Sequence, residues 1–298
     1  MTSSIREELF KGWSQPPSAS EDQRSENACR VISNAIKRSK ELSQKNIEIF
    51  IQGSYKNNTN VRLNSDVDIC VRLNDIFTTD YSEASSLSDE ALHITRASYT
   101  YKNFKNELQR TLNTSLGISN VTRGNKAFNI KENSYRITAD VVPCIQHRRY
   151  LPNGKFIAGT TLYPDQGGSI NNFPSEHYKN GVEKNNATNY RYKKVVRILK
   201  NLCISMNNDG YKSSENIPSY LNECLAWNTP NDIITKSTLD ETIRETLLHL
   251  HDHLDSMNKC DEWGQVSELL YLFKGGQGFS RANAKEWVLE AWGWLNYK

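Results

Sequence analysis

The sequence predicts a mixed α+β protein, with a sheet-bearing amino-terminal half and a helical carboxy-terminal half. Residues 47–52 and 66–73 alternate apolar and polar side chains with the two-residue period of a strand, and further strand-like runs fall near 126–132 and 135–145. From about residue 175 the apolar residues recur instead at helical spacing, over 187–207, 217–227, 238–257 and 280–296. The 298 residues suffice for one large domain or two ordinary ones. The loop-like DQGGSINNFP places the division near residue 165, giving units of 1–165 and 166–298.

Residues 20–44 read as one long helix, with Ser20 as N-cap and Cys29, Val31, Ile32, Ala35 and Ile36 at helical spacing. In the 66–73 run, Val67, Ile69, Val71 and Leu73 share one face; Asp66, Asp68, Cys70 and Arg72 share the other. A helix over 99–116 stops at Gly117, and Pro152-Asn153-Gly154 marks a hairpin.

Composition excludes several classes. Charged residues make up 24% and the formal net charge is +3, too little to announce a nucleic-acid binder. No run approaches the ~18 apolar residues of a membrane span, and MTSSIREELFKGW lacks the apolar core of a signal peptide. A cytoplasmic protein without membrane contact is expected. Cysteines 29, 70, 144, 203, 224 and 260 form no CxxC and no zinc spacing, and Cys70 and Cys144 read as buried thiols.

The chemistry sits in IQGSYKNNTNVRLNSDVDICVRL. Two aspartates at i and i+2 of a strand make a poor half-buried face, yet a good pair of ligands for a hard divalent cation. Gly53 lets backbone approach a phosphate closely, and Ser54 adds a hydroxyl, with a helical turn starting near Tyr55. A two-metal phosphoryl-transfer site wants a third carboxylate. YRITADVVPCI offers Asp140, on the face of its strand opposite Ile137, Ala139 and Val141. If that strand lies beside the 66–73 strand, Asp66, Asp68 and Asp140 come together. They would then hold two Mg²⁺ ions, or Mn²⁺ in their place.

Gly53-Ser54, Asp66-Val67-Asp68 and Asp140 match the DNA polymerase β-like nucleotidyltransferase pattern. With ADVVPCIQHRRY, NNFPSEHYKNG and YKKVVRILKNL…PSYLNECL, the chain resembles the bacterial cGAS/DncV-like nucleotidyltransferases of clade E, above all those making pyrimidine-containing cyclic dinucleotides. The resemblance implies a sheet lobe facing a helical lobe with the active site in the cleft. It implies a monomeric enzyme that joins UTP and ATP, or two UTP, and needs no nucleic acid. Its product would activate a separate effector protein in anti-phage defence. It further implies nucleotide contacts from Gln52, Gly53, Ser54, Asn172, Lys200, Ser219 and Tyr220. Lys200 would reach the triphosphate, Ser219 would bind a phosphate, Tyr220 would stack on a base, and Asn172 would read the base edge.

Each assignment has a plainer alternative. Lys193, Lys194, Arg197 and Lys200 can form one solvated basic helix face; Ser219 can be an N-cap, Tyr220 a core residue and Asn172 a turn asparagine. At the level of the whole chain, two alternatives stand beside cyclic dinucleotide synthesis. One is transfer of a nucleotide to RNA, protein or a small molecule, and the other is a non-catalytic nucleotide sensor. HLHDH at 249–253 reads as a solvated face rather than a zinc site. KGGQGFS at 274–280 lacks the Lys-Ser/Thr ending of a phosphate loop and reads as a helix stop before a Ser280 N-cap. Trp287, Trp292 and Trp294 read as packing between the lobes.

Overall fold

The computed structural model describes residues 1–61, 66–275 and 278–298. They form two compact units, neither of them one continuous stretch of chain. A sheet unit comprises Ser18–Lys56 and Asp66–Ser175; a helical unit comprises Met1–Pro17, Asn57–Ser65 and Glu176–Lys298. The organisation therefore differs from two consecutive blocks, 1–165 and 166–298. The physical reason lies in the first seventeen residues. Helix α1 (Ser3–Trp13) carries Phe10, which is fully buried among residues of the helical unit.

In the sheet unit, α2 (Ala19–Arg38) starts two residues earlier than a Ser20 cap would have it. The Ser18 hydroxyl accepts from the Glu21 amide and the Glu21 carboxylate takes the Ser18 amide, a reciprocal cap. The helix ends at Arg38 rather than 44 because Ser39 turns the chain extended and its hydroxyl takes the Leu42 amide. Strand β1 (Ile47–Gln52) leads into the short helix α3 (Gly53–Asn57), followed by β2 (Val67–Asp80), α4 (Tyr101–Leu116), β3 (Val121–Arg123), β4 (Phe128–Ile130), β5 (Ala139–Tyr150), β6 (Phe156–Leu162) and β7 (Ile170–Asn172).

The strand order is β1-β2-β5-β4-β3, with β6 on the far part of β5 and β7 on β6. β2 and β5 run parallel; the remaining pairs are antiparallel. β2 extends past residue 73 through a register shift between Leu73 and Phe77. Residues 133–138 stay outside the ladder, where the Asn133 side chain accepts from the amides of Tyr135 and Arg136. As alternation requires, Val67, Ile69, Val71 and Leu73 are fully buried against Phe104, Leu108 and Leu112 of α4 and Ile32 of α2. Cys70 and Cys144 are buried on the opposite face with Val142 and Leu162.

The helical unit adds α5 (Pro174–Ala187), α6 (Tyr192–Asn208), α7 (Ser219–Trp227), α8 (Asn231–Ile234), α9 (Leu239–Asp255), α10 (Met257–Cys260) and α11 (Arg281–Trp294). Its core joins Phe10, Tyr192, Leu199, Leu225, Leu247 and Trp287. Trp287 is wholly buried there, and Trp13 stacks on Trp294 with ring centroids 6.2 Å apart. These tryptophans thus pack within one unit. Among the described residues no helix is long and apolar enough to cross a membrane.

Candidate active site

The register of the sheet assembles the site. Gln52 of β1 lies opposite Asp68 of β2, Asp68 opposite Asp140 of β5, and Asp140 opposite Asn129 of β4. Paired residues on neighbouring strands point to the same face, with strands about 4.8 Å apart. One polar row therefore crosses the sheet on the side away from the Val67–Leu73 core, and both strand aspartates belong to it. Asn129, which sequence reading missed, donates from Nδ2 to Asp140 Oδ1 at 3.1 Å and fixes that carboxylate's orientation. Only the non-local pairing of β4 with β5 reveals it.

Gly53 occupies the left-handed region, with φ of 65°. A Cβ built there would stand 2.3 Å from Asp68 Oδ2. The glycine is thus required twice, by its backbone conformation and by the seat of the Asp68 carboxylate. Ser54 follows it in α3, half-buried. Asp66 lies exposed immediately before β2. Its partial loss of solvent on the side facing the protein raises its pKa above the ordinary value, and the neighbouring charges of Asp140 and Glu132 raise it further.

The donors suit a hard divalent cation: oxygen only and anionic, with Asp68 and Asp140 placed side by side by strand register and Asp66 just before β2. The cradle that a Gly53 Cβ would fill keeps Asp68 in the row. As the side chains stand, no three His, Cys, Asp or Glu groups among the described residues close into a ready-made cage. The fit is one of placement and chemistry, with the carboxylates left apart.

Asn172 ends β7, opposite Thr160 of β6. Its neighbour Phe173 is buried, edge-on to His147 at 5.5 Å and under the Arg149 guanidinium at 5.0 Å. A Cβ at Gly159 would meet the Asn172 carbonyl at 2.6 Å and the Phe173 ring at 2.9 Å, so this glycine lets β7 lie so close. Below, Asn171 Oδ1 accepts from Thr161, whose hydroxyl is paired with that of Thr78, which is itself hydrogen-bonded to His147 Nδ1. Asn172 is a strand-end residue on an anchored segment, not a turn asparagine.

Lys200, Ser219 and Tyr220 belong to the helical unit. Lys200 is 3% exposed, which disposes of the solvated-face reading for this residue; of the four basic side chains only Lys194 is exposed. Its ammonium donates to the Thr59 carbonyl at 3.0 Å and to Glu223 Oε2 at 3.3 Å. Ser219 is the first residue of α7; the N-cap is Pro218, and Ser219 keeps an exposed hydroxyl at the helix N-terminus. Anions are favoured at such an end. Tyr220 is half-buried, its hydroxyl donating to Gln265 Oε1 at 3.1 Å and its ring 5.4 Å from that of His177.

The other motifs take structural places. His249 Nε2 is bonded to the Asn228 carbonyl and His253 Nδ1 to the His249 carbonyl, and both rings stack beside Trp263. Ser280 caps α11 as its sequence position suggests; Gly276 and Gln277 of the glycine-rich run, like residues 62–65 of the opening motif, lie outside the described residues.

The nucleotidyltransferase domain family matches residues 32–157, the stretch that carries the Gly53-Ser54 turn and the paired Asp68 and Asp140. The cGAS/DncV-like nucleotidyltransferase C-terminal helical domain matches residues 179–296. A Legionella pneumophila protein, "Cyclic dipyrimidine nucleotide synthase CdnE", is 42% identical over 97% of each chain. Two solved structures superpose with TM-scores of 0.82. The Elizabethkingia meningoseptica CdnE cyclic dinucleotide synthase with GTP and Apcpp is 32% identical, covering 98% of this chain and 99% of its own. The Rhodothermus marinus CdnE c-UMP-AMP synthase with Apcpp and Upnpp is 28% identical over 98% of both. The chain belongs to the cGAS/DncV-like nucleotidyltransferases, an enzyme family whose fold works with a divalent metal ion.

Proposed function

We propose that this enzyme joins two nucleoside triphosphates into a cyclic dinucleotide, releasing pyrophosphate twice, and that UTP is one of its substrates. The observation carrying the reading is the pairing of Asp68 with Asp140 across two parallel strands, with Gly53 seated against the Asp68 carboxylate. Asp66, Asp68 and Asp140 would hold two Mg²⁺ ions. Bound there, the ions supply charge neutralisation for the triphosphate and activation of the attacking hydroxyl.

The chain's own groups do the rest. Gln52, Gly53 and Ser54 present the turn to the phosphates, with Ser54 donating its hydroxyl. Lys200 and Ser219 add an ammonium and a hydroxyl for the triphosphate. Tyr220 stacks on a base. Asn172 offers one donor and one acceptor to the edge of uracil, which presents O4 and N3–H. The pyrimidine assignment is supported by Asn172 and by likeness to the Legionella dipyrimidine synthase and the Rhodothermus UMP-AMP synthase. Products of this class would act on a separate effector protein in anti-phage defence.

The test is incubation with labelled ATP, GTP, CTP and UTP and Mg²⁺, then phosphatase and mass spectrometry. A phosphatase-resistant cyclic product containing UMP is expected. Label transferred to RNA or protein, or no turnover, would overturn the reading; a purely purine product would overturn its UTP part.

A further inference from the structure

Glu223 is a carboxylate that the reaction as proposed does not use, buried in the helical unit at 2% exposure. Its Oε2 accepts from the Thr59 hydroxyl at 2.8 Å and from Lys200 Nζ at 3.3 Å, and its Oε1 is 2.8 Å from His177 Nε2. Burial pushes its pKa up, but Lys200, His177 and the Thr59 hydroxyl outweigh it and hold the carboxyl well below its ordinary range. Because an ionised carboxylate only accepts, His177 Nε2 carries the proton of that bond. Asn57 Nδ2 is drawn 3.0 Å from the same nitrogen while its Oδ1 is left without a partner. Exchanging the two amide atoms puts an acceptor against Nε2–H.

A buried ion pair is seldom the stablest way to fill a core; apolar residues of similar volume do as well or better. What this one does is geometric. Glu223 lies one turn after Ser219 on α7, at i and i+4, hence on the same face. It holds the Lys200 ammonium on α6. It anchors His177 on α5, whose ring lies 5.4 Å from that of Tyr220. Two of the three side chains assigned to the nucleotide in this unit connect to this carboxylate, Lys200 directly and Tyr220 through the His177 ring. We propose that Glu223 is a positioning residue for nucleotide binding, fixing Lys200 directly and Tyr220 through His177. The inference rests on the nucleotide roles proposed above for Lys200 and Tyr220.

The readout is the Kd of non-hydrolysable UTP and ATP analogues with Mg²⁺, measured beside product formation and melting, for Glu223→Gln, Lys200→Met and the double variant. Expected is a tenfold or greater rise in Kd and KM for Glu223→Gln with kcat within about threefold. The double variant should lose less affinity than the product of the two single losses, because the part that Glu223 exerts through Lys200 is already gone in Lys200→Met. Recovered melting temperature in the double variant, with affinity still lost, would separate positioning from stability. A folded Glu223→Gln with unchanged Kd, or losses that multiply in the double variant, would overturn the proposal. Should Glu223→Gln not fold, Thr59→Val removes one hydrogen bond to the carboxylate; a Kd rise of about threefold supports positioning and no change refutes it. Wild-type protein that binds neither analogue would bring down the functional reading and this inference together. Wild-type protein that makes the cyclic product, with Glu223→Gln binding normally, would bring down the inference alone.

Discussion

Replacing Gly53 by Ala adds one methyl group and should abolish most of the activity. The new Cβ would stand 2.3 Å from Asp68 Oδ2 and 3.3 Å from its Cγ. Real Cβ atoms come no closer than 3.0 Å to such a neighbour, so the carboxylate must retreat by at least about 0.7 Å. A displacement near 1 Å at a reacting centre costs on the order of 10²-fold in rate. The left-handed φ of 65° adds strain of about 1–2 kcal/mol for a residue bearing a Cβ. In a domain of this size that lowers the melting temperature by roughly 2–8 °C. The assay is cyclic product formed from labelled UTP and ATP across a Mg²⁺ titration, with melting followed in parallel. Expected are a folded variant, a roughly hundredfold loss of kcat/KM and a raised Mg²⁺ requirement. A variant within threefold of wild type at every Mg²⁺ concentration would show that Asp68 needs no such seat.

Asp68→Asn and Asp140→Asn should each abolish product while melting no lower than wild type, since apo carboxylates that repel one another gain from neutralisation; near-wild-type turnover in either variant would dismiss it as a metal ligand. Asn172→Ser should shift base usage toward purines by about tenfold, the worth of roughly 1–3 kcal/mol of lost hydrogen bonding, and an unchanged ratio of products from equimolar triphosphates would remove Asn172 from base selection. Because the Glu223 carboxyl is held below its ordinary value, its stabilising contribution is fully present above pH 4.5 and is lost as pH falls through and below that point. Melting scans should therefore show Glu223→Gln far less stable than wild type at pH 7, by about 3–5 kcal/mol for a broken buried pair, with the gap closing below pH 4; a gap independent of pH would contradict the ionised carboxylate.

Asp68 and Asp140 were legible as neighbours because they rest on strand period; Asp66, read as part of the same strand, stands exposed just before β2. Alternation put Asp66 and Asp68 on one face, and the same rule applied to ADVVPCI marked Asp140. Only the adjacency of the two strands had to be supplied by the structure. Asn129 was illegible because its place depends on pairing between segments that no local pattern ties together. Glu223 was illegible for another reason: in PSYLNECL a buried carboxylate looks like any solvated one, and its burial follows from partners on three distant segments. The start of α2 was available but misread. Ser18 and Glu21 have the spacing of a reciprocal cap, as do Ser20 and Gln23, and the structure uses the first pair. Helices α1 and α5 and strands β6 and β7 went unread, being short or weakly periodic.

The interleaving of the two units fixes an order on the molecule's birth. Every residue of the sheet unit has been synthesised once the chain reaches Ser175, and domains fold as units while synthesis proceeds from the N-terminus. The helical unit has no such freedom, since Phe10 and Trp287 belong to one core and Arg6 pairs with Asp240. Helix α1 must wait, its apolar side unsheltered, while the ribosome adds more than two hundred residues. Arg6 also donates to the Leu295 carbonyl, so the final stitch joins the two ends of the chain. Shortening either end therefore opens the same core. A fragment starting at residue 176 lacks two segments of its own unit, Met1–Pro17 and the stretch that bears Thr59, and should aggregate; a soluble, cooperatively melting fragment would contradict this.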